Sequence, residues 1–316
     1  MHPIVPENSQ THSPATDRFD GRSRAQWLVR SSIRSAASWW MGLQNLPQKN
    51  RDSLYGGHHG LRIATFHDTP HASLGRFQKI VNACRRRWEM AAPSDVESYS
   101  RLPDGIQGAS ADRLLLTFDD GFESNFAAAK WLGEQGIQAM FFIVPEFVGK
   151  SVDEMQAALG KRGILAKPIN ADGSRRGLTR SQLNEMQSMG HRIAAHNTCH
   201  RDLGKLQTDE DLAIEIDESL DKISEWTGET CRDYAFAWGR EKNLTTASAE
   251  RLKQRDCRIY ASIRGLNVHG LTGPILWRNA IQSSEPVPFI LAGIGGGMDH
   301  RLAGSRHQVN SLMLQG

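Results

Sequence analysis

The 316-residue chain is short of the features that mark several protein classes. Its four cysteines, Cys84, Cys199, Cys231 and Cys257, lie far apart without a CxxC pair, which argues against a thiolate zinc knuckle or a redox dithiol and fits a reducing compartment. Charge of one sign is not in excess: 38 Lys+Arg against 35 Asp+Glu leave +3, far from a dedicated nucleic-acid binder, so no nucleic-acid partner is expected. No apolar run approaches the roughly 18 residues that span a bilayer. The first residues, MHPIVPENSQTHSPATDRFD, have no basic start followed by an apolar core, so no secretory signal is read there. The expected location is therefore cytoplasmic. No internal repeat recurs at a fixed period.

What is present is ordinary globular material, 39% hydrophobic and 23% charged, enough for one large domain or two small ones. Residues 1–60 read as an N-terminal extension. Its first part, to about residue 23, is rich in Pro, Ser, Thr and Asn without periodicity and is expected to be a mobile tail. From Arg24 to Leu46 no acid occurs, and Val29, Ile33, Ala36, Trp40 and Leu43 recur at helical steps. This predicts a basic amphipathic helix that either lies on an anionic membrane surface or a partner, or packs across the folded domain of its own chain. A linker, GGHHG at 56–60, follows, with its histidines expected to be exposed. From Leu61 onward, strand-like LRIATF, LLLTF, AMFFIV, RIAAH, DYAFAW and RIYASI alternate with helical stretches, the signature of an α/β fold with a largely parallel sheet. Residues 150–177 read as a loop or insertion, and DEDLAIEIDESLDKISEWTG as one long helix. Thr179 is an N-cap candidate.

Two constellations carry chemistry. Asp119 and Asp120 stand at the end of the run LLLTF, where α/β folds build sites, and two carboxylates so close call for a cation or a shared proton. Asp119 or Asp120 can equally cap the following helix. His196 and His200, in HNTCH after RIAA, are spaced so that two imidazoles can converge on one divalent metal. His67 and His71 share that spacing, so context must decide; His71 follows Pro70 at a helix start. Cys199 between the histidines reads as a packing residue, and His191, at a Gly-His turn, as structural.

LLLTFDDGFESNFAAAKWLGEQGIQAMFFIV, GLTRSQLNEMQSMGHRIAAHNTCHRDL and YAFAWGR, in that order, resemble the successive motifs of the polysaccharide deacetylases, the NodB-homology or carbohydrate esterase family four group. The resemblance spans residues 61–290 as a catalytic domain, leaving 291–316 as a Gly-rich tail. It implies a distorted (β/α) barrel binding a divalent metal, zinc above all, with Asp120, His196 and His200 as ligands and Asp119 as the catalytic base. It further implies a backbone N–H near Trp238 for the oxyanion. Trp238, Arg240 and His67 are the candidate substrate-binding residues, His67 because it ends the first strand. The implied activity is that of a metal-dependent hydrolase of carbon–nitrogen bonds, removing N-acetyl groups from an amino sugar in a polysaccharide, oligosaccharide or glycolipid precursor. Its partner is then an N-acetylated carbohydrate, with peripheral membrane contact through residues 24–46. The third motif departs from the family: Ala235-Phe236-Ala237-Trp238-Gly239 lacks its Arg and Pro, which leaves Arg240 or Arg232 to hold Asp119. No late motif supplies the general acid, for which His269 and His300 are candidates. These departures motivate two alternatives, hydrolysis of another non-peptide C–N bond and a catalytically impaired carbohydrate-binding relative.

Overall fold

The computed structural model describes residues 24–69, 71–100, 109–161, 176–270 and 275–314; the tail expected at 1–23 lies outside them. The N-terminal extension forms α1 (Arg24–Leu43) and α2 (Leu46–Tyr55). There follow β1 (Leu61–Phe66), α3 (Leu74–Arg85), β2 (Glu89–Met90), α4 (Val96–Ser100), β3 (Arg113–Phe118), α5 (Ser124–Glu134), β4 (Ala139–Ile143) and α6 (Val152–Lys161). The second half runs α7 (Arg180–Ser188), β5 (Arg192–Ala195), α8 (Asp209–Leu212), α9 (Glu218–Thr227), β6 (Asp233–Ala235), α10 (Thr246–Gln254), β7 (Arg258–Ala261), β8 (Ile275–Trp277), β9 (Asn279–Ala280), α11 (Val287–Ile294) and α12 (Ala303–Leu314).

All strand pairs are parallel, in the order β8-β7-β6-β5-β4-β3-β1-β9. β8 and β9 are one extended segment interrupted only by Arg278: its first half pairs with β7 and its second with β1. The segment thereby closes the sheet into a barrel with helices outside, as the α/β patterning and the resemblance lead one to expect. Strands covered on both faces read as continuous apolar runs. Alternate residues nevertheless go to different places. Leu61, Ile63, Leu115, Met140, Phe142, Ala194, Ala235, Tyr260 and Leu276 fill the barrel interior. Phe66, Leu116, Phe118, Phe141, Ile193 and Ile259 pack outward under the helices. There Phe66, Phe118 and Phe141 stack at centroid distances of 5.5 and 4.5 Å, and each buried ring contributes roughly 1.5–3 kcal/mol by area.

Several local expectations change. The 24–46 helix breaks at Asn45, whose φ of 50° turns the chain into α2. His59 is not simply exposed; its Nδ1 is 3.0 Å from Asp112 Oδ1. The segment read as a loop from 150 contains α6, whose Val152, Met155 and Leu159 are buried; residues 162–175 lie outside the described set. The C-terminal tail is helical, because α12 buries Arg306, Val309 and Met313 against the domain. The long acidic helix is interrupted by a π-turn at Ala213–Asp217. Thr179 does cap α7, accepting from Gln182 N at 3.2 Å while the Gln182 side chain accepts from Thr179 N at 2.8 Å.

Candidate metal centre and active site

The inward parity of the strands, continued one step past their C-termini, builds the site. Ile63 and Thr65 lead to His67, Leu115 and Thr117 to Asp119, Ala194 to His196, Tyr260 to Ser262, and Leu276 to Arg278. Thr65 and Thr117 pair in register and their hydroxyls meet at 2.9 Å, a polar layer between the apolar interior and the mouth. Above it opens a cavity of about 600 Å³ lined by His67, Asp119, Asp120, His196, His200 and Trp238, with Arg240, Ser262 and Glu285 around them. A second hollow of about 480 Å³ includes Arg192, Asp233 and Arg258 at the opposite, N-terminal ends of the strands. Its charges are matched among themselves, Arg258 Nε to Asp233 Oδ1 at 2.6 Å and Arg192 Nη1 to Oδ2 at 3.3 Å. It carries no set of metal ligands among the described residues.

Asp120, His196 and His200 each present one ligand atom, all within 4.8 Å of one another. Asp120 Oδ1 lies 3.5 Å from His196 Nε2 and 3.3 Å from His200 Nε2, yet it is buried and makes no well-formed hydrogen bond. Three donor atoms facing a common point without satisfying one another is the arrangement a divalent cation completes. The tautomers agree. His196 Nδ1 donates to the Ala235 carbonyl at 2.6 Å, and since a carbonyl only accepts, the lone pair is left on Nε2, facing Asp120. Burial raises the Asp120 carboxyl, but its interactions with the two imidazoles outweigh that and hold it well below the usual carboxylate range.

The loop bearing the histidines is built for this convergence. Asn197 and His200 adopt left-handed φ values of 53° and 59°. Asn197 Nδ2 donates to Arg201 O at 2.8 Å, and its Oδ1 accepts from Tyr234 Oη at 2.8 Å and Ala237 N at 3.1 Å, tying this loop to the third motif. Below it the π-turn delivers fully buried Glu215, whose Oε2 accepts from Cys199 N at 3.1 Å and Arg201 N at 3.4 Å. Burial raises that carboxyl in spite of these bonds. Cys199 packs with Val144, Phe147, Met155 and Leu159, as a packing residue should.

Asp119 is 2% exposed and is gripped by Arg278, Nη1 to Oδ1 at 2.7 Å and Nη2 to Oδ2 at 3.0 Å. Burial pushes the Asp119 carboxyl up; the guanidinium, helped by His196 and His67, outweighs it and holds it below its ordinary value. Arg278 in turn reaches Ser262 Oγ at 3.2 Å and lies over the Phe142 ring at 5.0 Å. Neither arginine considered from the sequence takes this role: Arg240 is exposed, with Nη1 3.4 Å from Ser262 O, and Arg232 pairs with Asp256 at 3.2 Å. Trp238 stands at the rim, 52% exposed, its ring 5.5 Å from that of His200. Gly239 beside it has φ 63°, and a Cβ there would lie 2.5 Å from Ser262 N, so only glycine lets the third motif approach β7 so closely. Of the acid candidates, His269 contacts Tyr99 and His300 is exposed; neither lines the cavity, whereas His67 does. Parity along β1 and along the Ile275–Ala280 segment is the signal that points to His67 and Arg278.

Residues 107–256 match the family model described as polysaccharide deacetylase. Among curated proteins, none matches the chain by sequence. The fold is similar to that of IcaB from Ammonifex degensii, with 18% identity and a TM-score of 0.58 over 75% of this chain and 97% of that one. It is similar too to the Streptococcus pyogenes deacetylase PplD, 16% identical with a TM-score of 0.56 over 74% and 98%. A de-N-acetylase from Aggregatibacter actinomycetemcomitans gives 15% and 0.53 over 74% and 99%. At such identities the likeness is one of fold.

Proposed function

We infer that the chain, which carries a polysaccharide deacetylase domain, is a metal-dependent hydrolase that removes N-acetyl groups from an amino sugar. The observation that carries this reading is the convergence of Asp120, His196 and His200 beside an Asp119 clamped by Arg278, all in one open cavity. Two imidazoles and one carboxylate are the donor set of a catalytic zinc with positions left open, and zinc is our assignment. Such an ion supplies Lewis acidity, lowering the pKa of water and polarising an acyl oxygen.

The chain's own residues do the rest. Asp119, held as an anion and fixed by two parallel bonds, keeps lone pairs outside the Arg278 fork to take a proton from the attacking water. The amide nitrogen leaves only as an amine, so a second group must protonate it. His67, in the same cavity and outside the ligand set, is our assignment for that acid, imidazole being the side chain suited to donating near neutral pH. Trp238 offers a ring face at the rim for a sugar, and Arg240 a cationic edge. The impaired-relative alternative rested on the altered third motif and the absent general acid; Arg278 holds Asp119 in place of the motif's arginine, and His67 is our assignment for the acid.

Acetate release from N-acetylglucosamine oligomers and nucleotide-linked N-acetyl sugars, with zinc and with a chelator, tests the reading. Chelator-sensitive release is expected, with metal lost in Asp120→Ala and His200→Ala but kept, without turnover, in Asp119→Asn. Metal retention by all three variants, or no release by metal-loaded protein, overturns it.

A further inference from the structure

We propose that the outer face of α1 seats the protein on an anionic lipid bilayer. The helix is attached by the side that a soluble helix turns to water. Arg34 pairs with Glu285 and lies over the Phe289 ring at 5.3 Å, and Met41 on the same side is buried. The periodic apolar residues face outward instead: Leu28, Val29, Ile33, Trp39, Trp40 and Leu43 are 52–71% exposed. At 3.6 residues per turn these six fall within an arc of about 140°, along about 24 Å of helix. Every other exposed side chain among the described residues of that arc and its margins, Ser32, Ser35 and Ala36 included, is uncharged. A contiguous apolar surface of this kind marks an interaction site rather than ordinary scatter.

Charge selects the occupant. Residues 21–51 contain Arg22, Arg24, Arg30, Arg34, Lys49 and Arg51 and no Asp or Glu; Arg34 and Arg51 are already matched by Glu285 and Asp112, so the surplus rests on the other four. Two copies meeting face to face would bring like charges together, whereas anionic headgroups complement them. Adjacent tryptophans suit the headgroup level of a bilayer. No described helix is long and apolar enough to cross a membrane, so α1 would lie in the interface plane. Arg30 and Arg34, on the inner side of the same helix, line the cavity that holds Asp119 and His67, so seating α1 holds that cavity within about one helix diameter of the lipid surface. That last consequence, which favours amino sugars carried at a membrane, rests on the proposed function; the docking itself does not.

Co-sedimentation of the full chain with vesicles of phosphatidylcholine, with and without phosphatidylglycerol, is the test. Binding to the anionic vesicles, weakened by salt, is expected. The double variant Ile33→Glu/Trp40→Glu, at exposed positions outside the cavity, should lower the partition coefficient at least about ten-fold while keeping its thermal midpoint and acetate release from a soluble substrate. The proposal is overturned if the parent chain ignores both vesicles or the variant binds equally well. It is overturned too if light scattering shows a dimer that the variant splits while vesicles remain unbound. Vesicle binding without acetate release would sink the deacetylase reading alone, and release without binding would sink this one alone.

Discussion

Arg278 meets Asp119 across 159 positions of sequence, and both are removed from water. A paired buried charge is costly to orphan, about 3–5 kcal/mol when one partner is deleted. Arg278→Gln should therefore lower both the denaturant midpoint and kcat, the latter by about 10²-fold, with metal content unchanged. Arg278→Lys should not restore kcat, because a single ammonium cannot match two carboxylate oxygens at once. Steady-state kinetics beside metal analysis check this, and an active Arg278→Gln would remove the positioning role. At this scale the carboxylates and metal histidines were legible, since they sit in short motifs. Arg278 was not: it lies in ILWRNA, where a lone arginine among apolar residues has no local partner to announce it.

Among the elements, His191 shows how a helix-to-strand turn is locked. Its Nε2 donates to Ala129 O of α5 at 2.9 Å and its Nδ1 accepts from Ala139 N of β4 at 3.2 Å, so the buried ring is neutral. Burial lowers its pKa from the ordinary value. The unfolded imidazole titrates near about 6.5, so the folded state is favoured fully above that pH and loses this contribution as pH falls toward the lower folded value. Urea midpoints measured from pH 7.5 downward should fall less steeply in His191→Gln than in the parent chain; parallel curves would discount the lock. Helices and strands were legible here because hydrophobic period and caps such as Thr179 are local. The π-turn under the metal loop was not, because Ile216 and Leu220 keep helical spacing through it and only Glu215, turned to the Cys199 and Arg201 amides, betrays the extra residue. The direction of α1 was likewise hidden: periodicity identifies an apolar face without saying whether protein or something else covers it.

For the molecule as a whole, the segments outside the barrel motifs are clasped rather than trailing. Asp299 Oδ2 receives Arg62 Nη1 of β1 at 2.6 Å and Tyr55 Oη of α2 at 3.0 Å, while Asn50 donates to Gly296 O at 2.7 Å. Arg62 and Asp299 are fully buried. Asp299→Ala should cost about 3–5 kcal/mol and make α2 and α12 susceptible to limited proteolysis together; cleavage confined to one end would refute the clasp. Motif order made the barrel legible, whereas these terminal joints depend on residues more than 200 positions apart, which no local pattern records. The segment Ile275–Ala280, which closes the barrel, also bears on the order of synthesis. It is the last strand made, and it carries the cation that compensates Asp119. A nascent chain that has emerged only as far as β7 has an open sheet and a carboxylate without its guanidinium, so ring closure and the compensation of the Asp119 charge are one late event.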